Sequence, residues 1–143
     1  MSVEEKLASL GITLPTPTPP LANYVPVVRT GNLLFVSGQV SVDADGKFAV
    51  GKLGAGMSAE EGAAAARLCA INILAQTKVA LGGDLEKLVR VVKLTGFVNS
   101  APDFIDHPKV INGCSDLLVE VLGDKGRHAR SAFGIAALPF GCA

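Results

Sequence analysis

The sequence is short of the residue types on which several functional classes depend. Its 143 residues include no Trp, one Tyr and two His, and its 13 Lys and Arg balance 13 Asp and Glu. The absence of a positive charge excess and of clustered aromatics argues against nucleic-acid binding, which depends on phosphate contacts and base stacking. No run approaches the ~20 apolar residues that span a bilayer, and the N-terminus has no apolar signal segment. We therefore expect neither membrane insertion nor secretion.

Cysteine is equally sparse. Cys69, Cys114 and Cys142 are odd in number, far apart and flanked by apolar residues. This pattern predicts buried thiols in a reducing, cytoplasmic location rather than a disulfide framework. With His107 and His128, these cysteines offer none of the short spacings of zinc ligands, and the chain has no phosphate-binding loop, dinucleotide fingerprint or nucleophile elbow. The sequence indicates no metal and no cofactor.

What the chain does have is small and aliphatic residues, with 16 Gly and 49% hydrophobic residues. This composition predicts close backbone packing and some apolar surface that faces another subunit. We divide the chain into an N-terminal helix with a proline-rich arm, residues 1–21, and one main domain, residues 22–143. The arm carries Pro15, Pro17, Pro19 and Pro20, which favour an extended conformation.

The main domain shows two helical patterns. Ser58-Ala-Glu-Glu61 has the spacing of a capping box, and Gly82-Gly83 ends the helix that begins there. Its predicted apolar stripe is Ala64, Leu68, Ile71, Ala75 and Val79. A second helix begins at Pro108, is capped from Asp106 and ends at Gly123. Its predicted stripe is Val110, Ile111, Cys114, Leu117, Leu118 and Val121.

Strand patterns surround these helices. A hairpin is predicted from Tyr24 to Val36 around a turn at 30–32, and two further strands are predicted at 88–98 and 129–137. The order β-β-α-β-α-β predicts an α+β fold, with one mixed sheet and two helices on one face. Residues 138–143 resemble a turn and the start of another strand, so we expect that the chain as given lacks a final strand.

Arg130 is the most informative polar residue. Its same-face neighbours on the last strand are Ala132, Gly134 and Ala136, which leave room for a ligand. A guanidinium group grips a carboxylate with two parallel hydrogen bonds, which Lys cannot match. The alternative is a strand-edge arginine that pairs with an acidic side chain or is solvated.

The remaining ionisable residues have structural explanations. Arg127 and His128 are predicted to be solvated loop charges, and His107 to lie beside a helix cap. Asp103 and Asp106 could form an acid–base pair, but aspartate at a helix start usually caps the helix.

Three segments together resemble the Rid family, also called YjgF/YER057c/UK114. They are Tyr24 with Gly31-Asn-Leu-Leu-Phe-Val-Ser-Gly-Gln39, then Val91 to Phe97 leading to Asp103-Phe104, and Ala129-Arg130-Ser131 running to Leu138-Pro139. The resemblance covers residues 22–143 and implies a chorismate-mutase-like α+β domain that assembles as a homotrimer with ligand clefts between subunits. The N-terminal arm and Asn112-Gly-Cys-Ser-Asp116 indicate a slightly longer branch of the family.

The resemblance also implies roles for individual residues. Arg130 would clamp the carboxylate of a 2-imino acid, and Tyr24 would close the site. Ser37 and Gly38 would line the pocket, and the backbone carbonyl of Ala129 would contact the ligand. The implied activity is that of an enamine/imine deaminase, which hydrolyses reactive imines to keto acids and ammonia.

Two departures from the deaminase pattern leave an alternative open. Pro102 stands where that branch has Asn, and its water-positioning Glu would fall beyond Ala143. Nothing in the sequence places Glu120 near Arg130 as a substitute. The alternative is a non-catalytic protein that binds small carboxylates in the same cleft. A ribonuclease role, attached by name to some family members, disagrees with the neutral charge.

Overall fold

The secondary structure follows the predicted order, with short additional elements. The computed structural model describes residues 1–143. Its helices are α1 (Val3–Ser9), α2 (Ala59–Ala80) and α3 (His107–Leu122), with 3-10 turns at Leu85–Lys87, Gly123–Gly126 and Pro139–Gly141. Its strands are β1 (Val27–Thr30), β2 (Leu33–Val36), β3 (Lys52–Leu53), β4 (Gly56–Met57), β5 (Lys93–Asn99) and β6 (Ala129–Ile135). No helix has the length and apolar character needed to cross a membrane.

The strands form three separate two-stranded sheets rather than one continuous sheet. β1 and β2 form the predicted antiparallel hairpin, with Gly31 in the turn at a φ of 55°. β5 and β6 run parallel, from the pair Lys93 and Ala129 to the pair Asn99 and Ile135. β3 and β4 form a short parallel pair within a glycine-rich loop. The α+β class is confirmed, but the strands do not join into the one mixed sheet that the sequence predicted.

Helix α3 packs as its sequence pattern predicts. All six residues of its predicted stripe are buried, and Leu117 is fully buried. Asp106 occupies the N-cap position as predicted, but its side chain makes no capping hydrogen bond. Its carboxylate instead lies 4.0 Å from Lys109 Nζ.

Helix α2 begins and ends where the sequence predicts, but its buried face was predicted only in part. Ala75 of the predicted stripe is buried and Ile71 packs against the core. The capping box between Ser58 and Glu61 is present, and the chain leaves the helix at Leu81. The buried residues include Ala66, Ala70 and Leu74, whereas Ala64 and Val79 of the predicted stripe are exposed. Alanine and glycine occupy most sides of this helix, so hydrophobic periodicity distinguishes its faces poorly.

Close backbone packing joins α2 to α3. A Cβ atom placed on Gly113 would collide with the backbone carbonyl of Ala63. Only glycine allows the two helices this approach. The joint core also includes Val3 and Leu7 of α1, with α1 held further by an ion pair of 2.8 Å between Glu4 and Lys78.

The two helices cover one face of the strands and leave the other open. Gly96 of β5 lies beneath Ile111 of α3 on the covered face. On the opposite face, Phe97 and Phe133 pack edge to face at 5.1 Å and remain 49% and 42% exposed. That another subunit covers this open face stays a prediction.

Residues 138–143 are held against the end of β5. The Asn99 side chain donates to the carbonyl oxygens of Gly51 and Cys142, at 3.1 and 3.0 Å, and accepts a hydrogen bond from Lys52 Nζ. Cys142 also forms an antiparallel bridge with Val50. The segment is therefore a turn followed by strand-like pairing, as its sequence suggested.

Candidate functional site

Arg130 lies on β6 at the edge of the parallel pair and points toward α3. Its register partner on β5 is Leu94, which packs against the helical core. The alternation predicted for this strand is confirmed, because the exposed Phe133 belongs to the opposite face. The Arg130 side chain is half-buried.

Two residues of α3 hold one nitrogen of the guanidinium group. Arg130 Nη1 donates to Asn112 Oδ1 at 2.8 Å and to Ser115 Oγ at 3.2 Å. These are the only hydrogen bonds that Arg130 makes through its side chain, so the N–H groups of Nε and Nη2 have no hydrogen-bond acceptor within the chain. No acidic side chain forms an ion pair with it, because the four ion pairs of the chain join other residues. The alternative of an acid-paired arginine is therefore excluded within the single chain.

His128 belongs to the same cluster, and its prediction as a solvated loop charge was wrong. The ring is half-buried, with Nδ1 2.6 Å from the Gly126 carbonyl oxygen and Nε2 2.9 Å from Ser115 Oγ. The turn at Gly123–Gly126 brings the ring back toward α3. Arg127 does behave as predicted, because it is exposed and its Nε lies 3.3 Å from Oδ1 of Asp124, which is also exposed.

Three other predicted ligand contacts, Tyr24, Ser37 and Gly38, flank the β1–β2 hairpin and make no hydrogen bond to Arg130 within one chain. Tyr24 is 57% exposed, and Gly38 is exposed with open space around it. The Ser37 hydroxyl donates to the Val25 carbonyl oxygen at 2.7 Å. This bond links the segment after β2 to the segment before β1. No hydrogen bond joins these residues to Arg130.

Ala129 adjoins Arg130 and is exposed at the start of β6. Its backbone N–H donates to the Val92 carbonyl oxygen at 3.0 Å, which anchors the strand beside the arginine.

The remaining candidates have structural partners elsewhere. His107 begins α3, where its ring stacks edge to face on Phe104 and hydrogen-bonds to Ser100. Glu120 lies 3.8 Å from Arg67 on α2, away from the Arg130 cluster as the sequence suggested. Asp103 is exposed and makes no hydrogen bond or ion pair through its side chain.

Two of the three thiols are unsuited to nucleophilic chemistry. Burial raises the pKa of Cys69 and of Cys114 to about 12, and the positive charge of Arg130 opposes the shift at Cys114 only in part. A thiol is nucleophilic as the thiolate, so neither cysteine is activated at neutral pH. All three cysteines are free, and no cluster of metal-ligating side chains is present.

Comparison with known proteins identifies the family. A model of the YjgF/chorismate mutase-like, putative endoribonuclease family matches residues 4–142. The chain belongs to this family. It is 49% identical over 142 residues to "Protein TCP17" of Trypanosoma cruzi, a match that covers 99% of this chain and 88% of the relative. The predicted resemblance to the Rid, or YjgF, family is confirmed.

Two solved structures share the fold over nearly all of the YjgF-family chain. Atu1372 of Agrobacterium tumefaciens, described as having unknown function, is 52% identical with a TM-score of 0.90, over 98% of this chain and 86% of the other. A putative endoribonuclease of Shewanella oneidensis MR-1 is 36% identical with a TM-score of 0.93, over 99% of this chain and 93% of the other.

Sequence reasoning missed two of the residues that contact Arg130. Asn112 and Ser115 were noted only as part of a segment that marks the longer branch. They are spaced by three on α3, so both lie on one face, beside a strand that carries an unpaired arginine. The spacing of three was the sequence feature that could have indicated a shared role for Asn112 and Ser115. Only the fold shows that β6 packs against the face of α3 that carries them.

Two surface grooves of the chain are not lined by Arg130. One, of about 290 Å³, runs between the hairpin and α2 and includes Arg29 and Val79. The other, of about 320 Å³, lies between the proline-rich arm and α2 and includes Pro15 and Asn72. Neither is lined by Tyr24 or Ser37.

Proposed function

We propose that this YjgF-family protein is an imine deaminase, which hydrolyses 2-imino acids to 2-keto acids and ammonia. The observation that carries the proposal is the state of Arg130. Its Nε and Nη2 donors are unused, no carboxylate of the chain neutralises it, and its Nη1 is fixed by Asn112 and Ser115.

An arginine in this state suits a small carboxylate. Nε and Nη2 lie on one edge of the planar guanidinium group and can donate two parallel hydrogen bonds to a carboxylate. The two bonds at Nη1 hold the plane in place before the ligand arrives, which lowers the entropy cost of binding. A 2-imino acid bound by its carboxylate has its C=N carbon one bond away from the held group.

We further propose that the site is completed between the subunits of a homotrimer. Two features support this assembly. Tyr24, Ser37 and Gly38 flank a hairpin that does not hydrogen-bond to β5 or β6, so a second copy could supply them to Arg130. The open sheet face with Phe97 and Phe133 offers apolar surface for that contact.

The experiment is a coupled assay in which an amino-acid oxidase generates 2-imino acids and keto-acid release is followed. We expect the wild type to accelerate hydrolysis and Arg130→Ala to lose that acceleration, because the substrate carboxylate loses its partner. Arg127→Ala is the matched control, since Arg127 is a neighbouring exposed arginine with its own ion pair. An Arg130→Ala variant that is as active as the wild type would disprove the role of Arg130.

The second candidate function is a protein that binds small carboxylates without turnover. It is favoured by Pro102, which stands where the deaminase branch has an amide side chain. Calorimetric titration with pyruvate separates the two candidates. Binding by a folded trimer that does not accelerate imine hydrolysis would select the binder, provided that Arg130→Ala abolishes the binding.

Neither function requires a cofactor or a nucleic-acid partner, and we propose a cytoplasmic location. Free thiols that include the buried Cys114 and Cys142 support a reducing compartment.

A further inference from the structure

We propose that Ser115 and His128 form a proton relay that activates the water attacking the imine bound at Arg130. This inference rests on the proposed deaminase function. It assigns the acid–base step to two residues of this chain that sequence reasoning left without a chemical role.

The direction of each hydrogen bond in the cluster follows from its partners. A carbonyl oxygen only accepts, so His128 Nδ1, at 2.6 Å from the Gly126 oxygen, carries the proton. The neutral ring then presents a lone pair at Nε2, which is 2.9 Å from Ser115 Oγ. Arg130 Nη1 can only donate, so it occupies an acceptor position on Ser115 Oγ. The Ser115 proton is therefore directed at a base.

One position on Ser115 is left for water. A serine hydroxyl has one donor and two acceptor positions, and the chain uses the donor for His128 and one acceptor for Arg130. A water that donates to the second acceptor position is held beside the guanidinium group that binds the substrate carboxylate. The attacking oxygen and the C=N carbon are thereby oriented by one fixed group.

The chemistry balances without any further reactant. The water oxygen forms a bond to the carbon of the protonated imine, the C=N π electrons move to nitrogen, and the water proton passes to Ser115 Oγ as the Ser115 proton passes to His128 Nε2. The resulting carbinolamine takes that proton back on nitrogen through Ser115. The C–N bond then breaks with its electron pair on nitrogen as the hydroxyl oxygen forms the C=O bond of the keto acid. The hydroxyl proton passes through Ser115 to His128 Nε2 and from there to the departing ammonia, which leaves as ammonium and returns the ring to its neutral form.

The second serine–histidine pair of the chain has the opposite direction. Ser100 Oγ donates to the Val98 carbonyl oxygen at 3.3 Å, so His107 Nε2, at 3.2 Å, must donate to Ser100. This pair cannot take a proton from water through its serine. Because it has the same residue types and also has one member on α3, it is a natural control.

The kinetic test uses the full-length protein in the coupled imine assay together with calorimetric binding of pyruvate. We expect Ser115→Ala to lower kcat by about 10²-fold or more, the usual contribution of general acid–base catalysis. Pyruvate should still bind, with no more than the roughly tenfold loss of affinity expected from removing one partner of Arg130 Nη1. His128→Gln keeps an amide able to accept a hydrogen bond but removes the base, and it should show the same loss. Ser115→Thr retains the hydroxyl and should restore most of the rate. Ser100→Ala should match the wild type.

The spectroscopic test does not depend on turnover. The chain has two histidines, so ¹⁵N NMR of the imidazole nitrogens with a His107→Gln variant assigns both rings. We expect His128 to carry its proton on Nδ1 and His107 on Nε2. A neutral His128 with its proton on Nε2 would overturn the relay.

The outcomes separate the relay from the deaminase function. If the wild type is active and Ser115→Ala is equally active, the relay is wrong and the deaminase function stands. A wild type that binds pyruvate but does not accelerate hydrolysis disproves both. If Ser115→Ala alone fails to fold, the hydrolysis rates of His128→Gln and Ser115→Thr decide. Loss of activity in His128→Gln together with retained activity in Ser115→Thr supports the relay. Any other combination overturns it.

Discussion

The β1–β2 hairpin and the β5–α3–β6 unit carry two halves of one predicted site and differ in how they are held. In the β5–α3–β6 unit, α3 supplies Asn112 and Ser115 to an arginine on β6, so tertiary packing orients the polar groups. Beside the hairpin, Ser37 Oγ donates to the carbonyl oxygen of Val25, and Tyr24 is exposed. The comparison teaches that one half is assembled within the chain and the other half is presented at its surface.

The largest expected effect tests the packing of α3. Gly113→Ala places a Cβ atom against the Ala63 carbonyl, so α2 and α3 must separate, and we expect about 4 kcal/mol or more of lost unfolding free energy. Gly38→Ala is the matched control in the hairpin region, where the new Cβ meets nothing within 4 Å. It should change stability by less than ~0.5 kcal/mol. Urea unfolding measures both, and equal stabilities would contradict the contrast between the regions.

The next effect concerns the orientation of Arg130. Asn112→Ala removes one of the two partners of Nη1, and we expect pyruvate affinity to fall roughly tenfold, about 1.4 kcal/mol. Asn32→Ala, at an exposed asparagine of the hairpin turn, is the control and should bind as the wild type does. Calorimetry makes the measurement. If both variants bound equally well, α3 would have no part in orienting the arginine.

The smallest effect tests how the hairpin is fastened. Ser37→Ala removes the hydrogen bond to the Val25 carbonyl and should cost ~1 kcal/mol of unfolding free energy. Ser131→Ala is the comparison, since that hydroxyl only accepts from the exposed Lys93 ammonium at 3.1 Å. Its cost should stay below ~0.5 kcal/mol. Thermal unfolding of both variants is sufficient, and a larger loss for Ser131→Ala would reverse the argument.

Helix positions were predictable where side chains differ strongly around the helix. On α3, bulky residues such as Leu117 alternate with polar ones such as Asn112, so the buried stripe was correct. On α2, small residues surround the helix, and the choice between Ala64 and Ala66 depends on which side α3 approaches. That information is absent from local periodicity.

The candidate site was predictable only in its central residue. Arg130 was identified from its small neighbours on an alternating strand. His128 was misread because charged residues such as Arg127 precede it in a turn, and the contact that buries its ring comes from Ser115, distant in sequence. The hairpin residues entered through family resemblance, and no contact in one chain tests their roles.

The parallel pairing of β5 with β6 has a consequence for the folding pathway. The whole of α3 lies between Lys93 and Ala129 in the sequence, so this ladder closes through non-local contacts, which are slow to form. The hydrogen bonds from Arg130 to Asn112 and Ser115 form only when β6 lies against α3, so partly folded chains should lack them. A carboxylate ligand would then bind only the native state, and by mass action it would stabilise fully folded molecules and not partly folded ones.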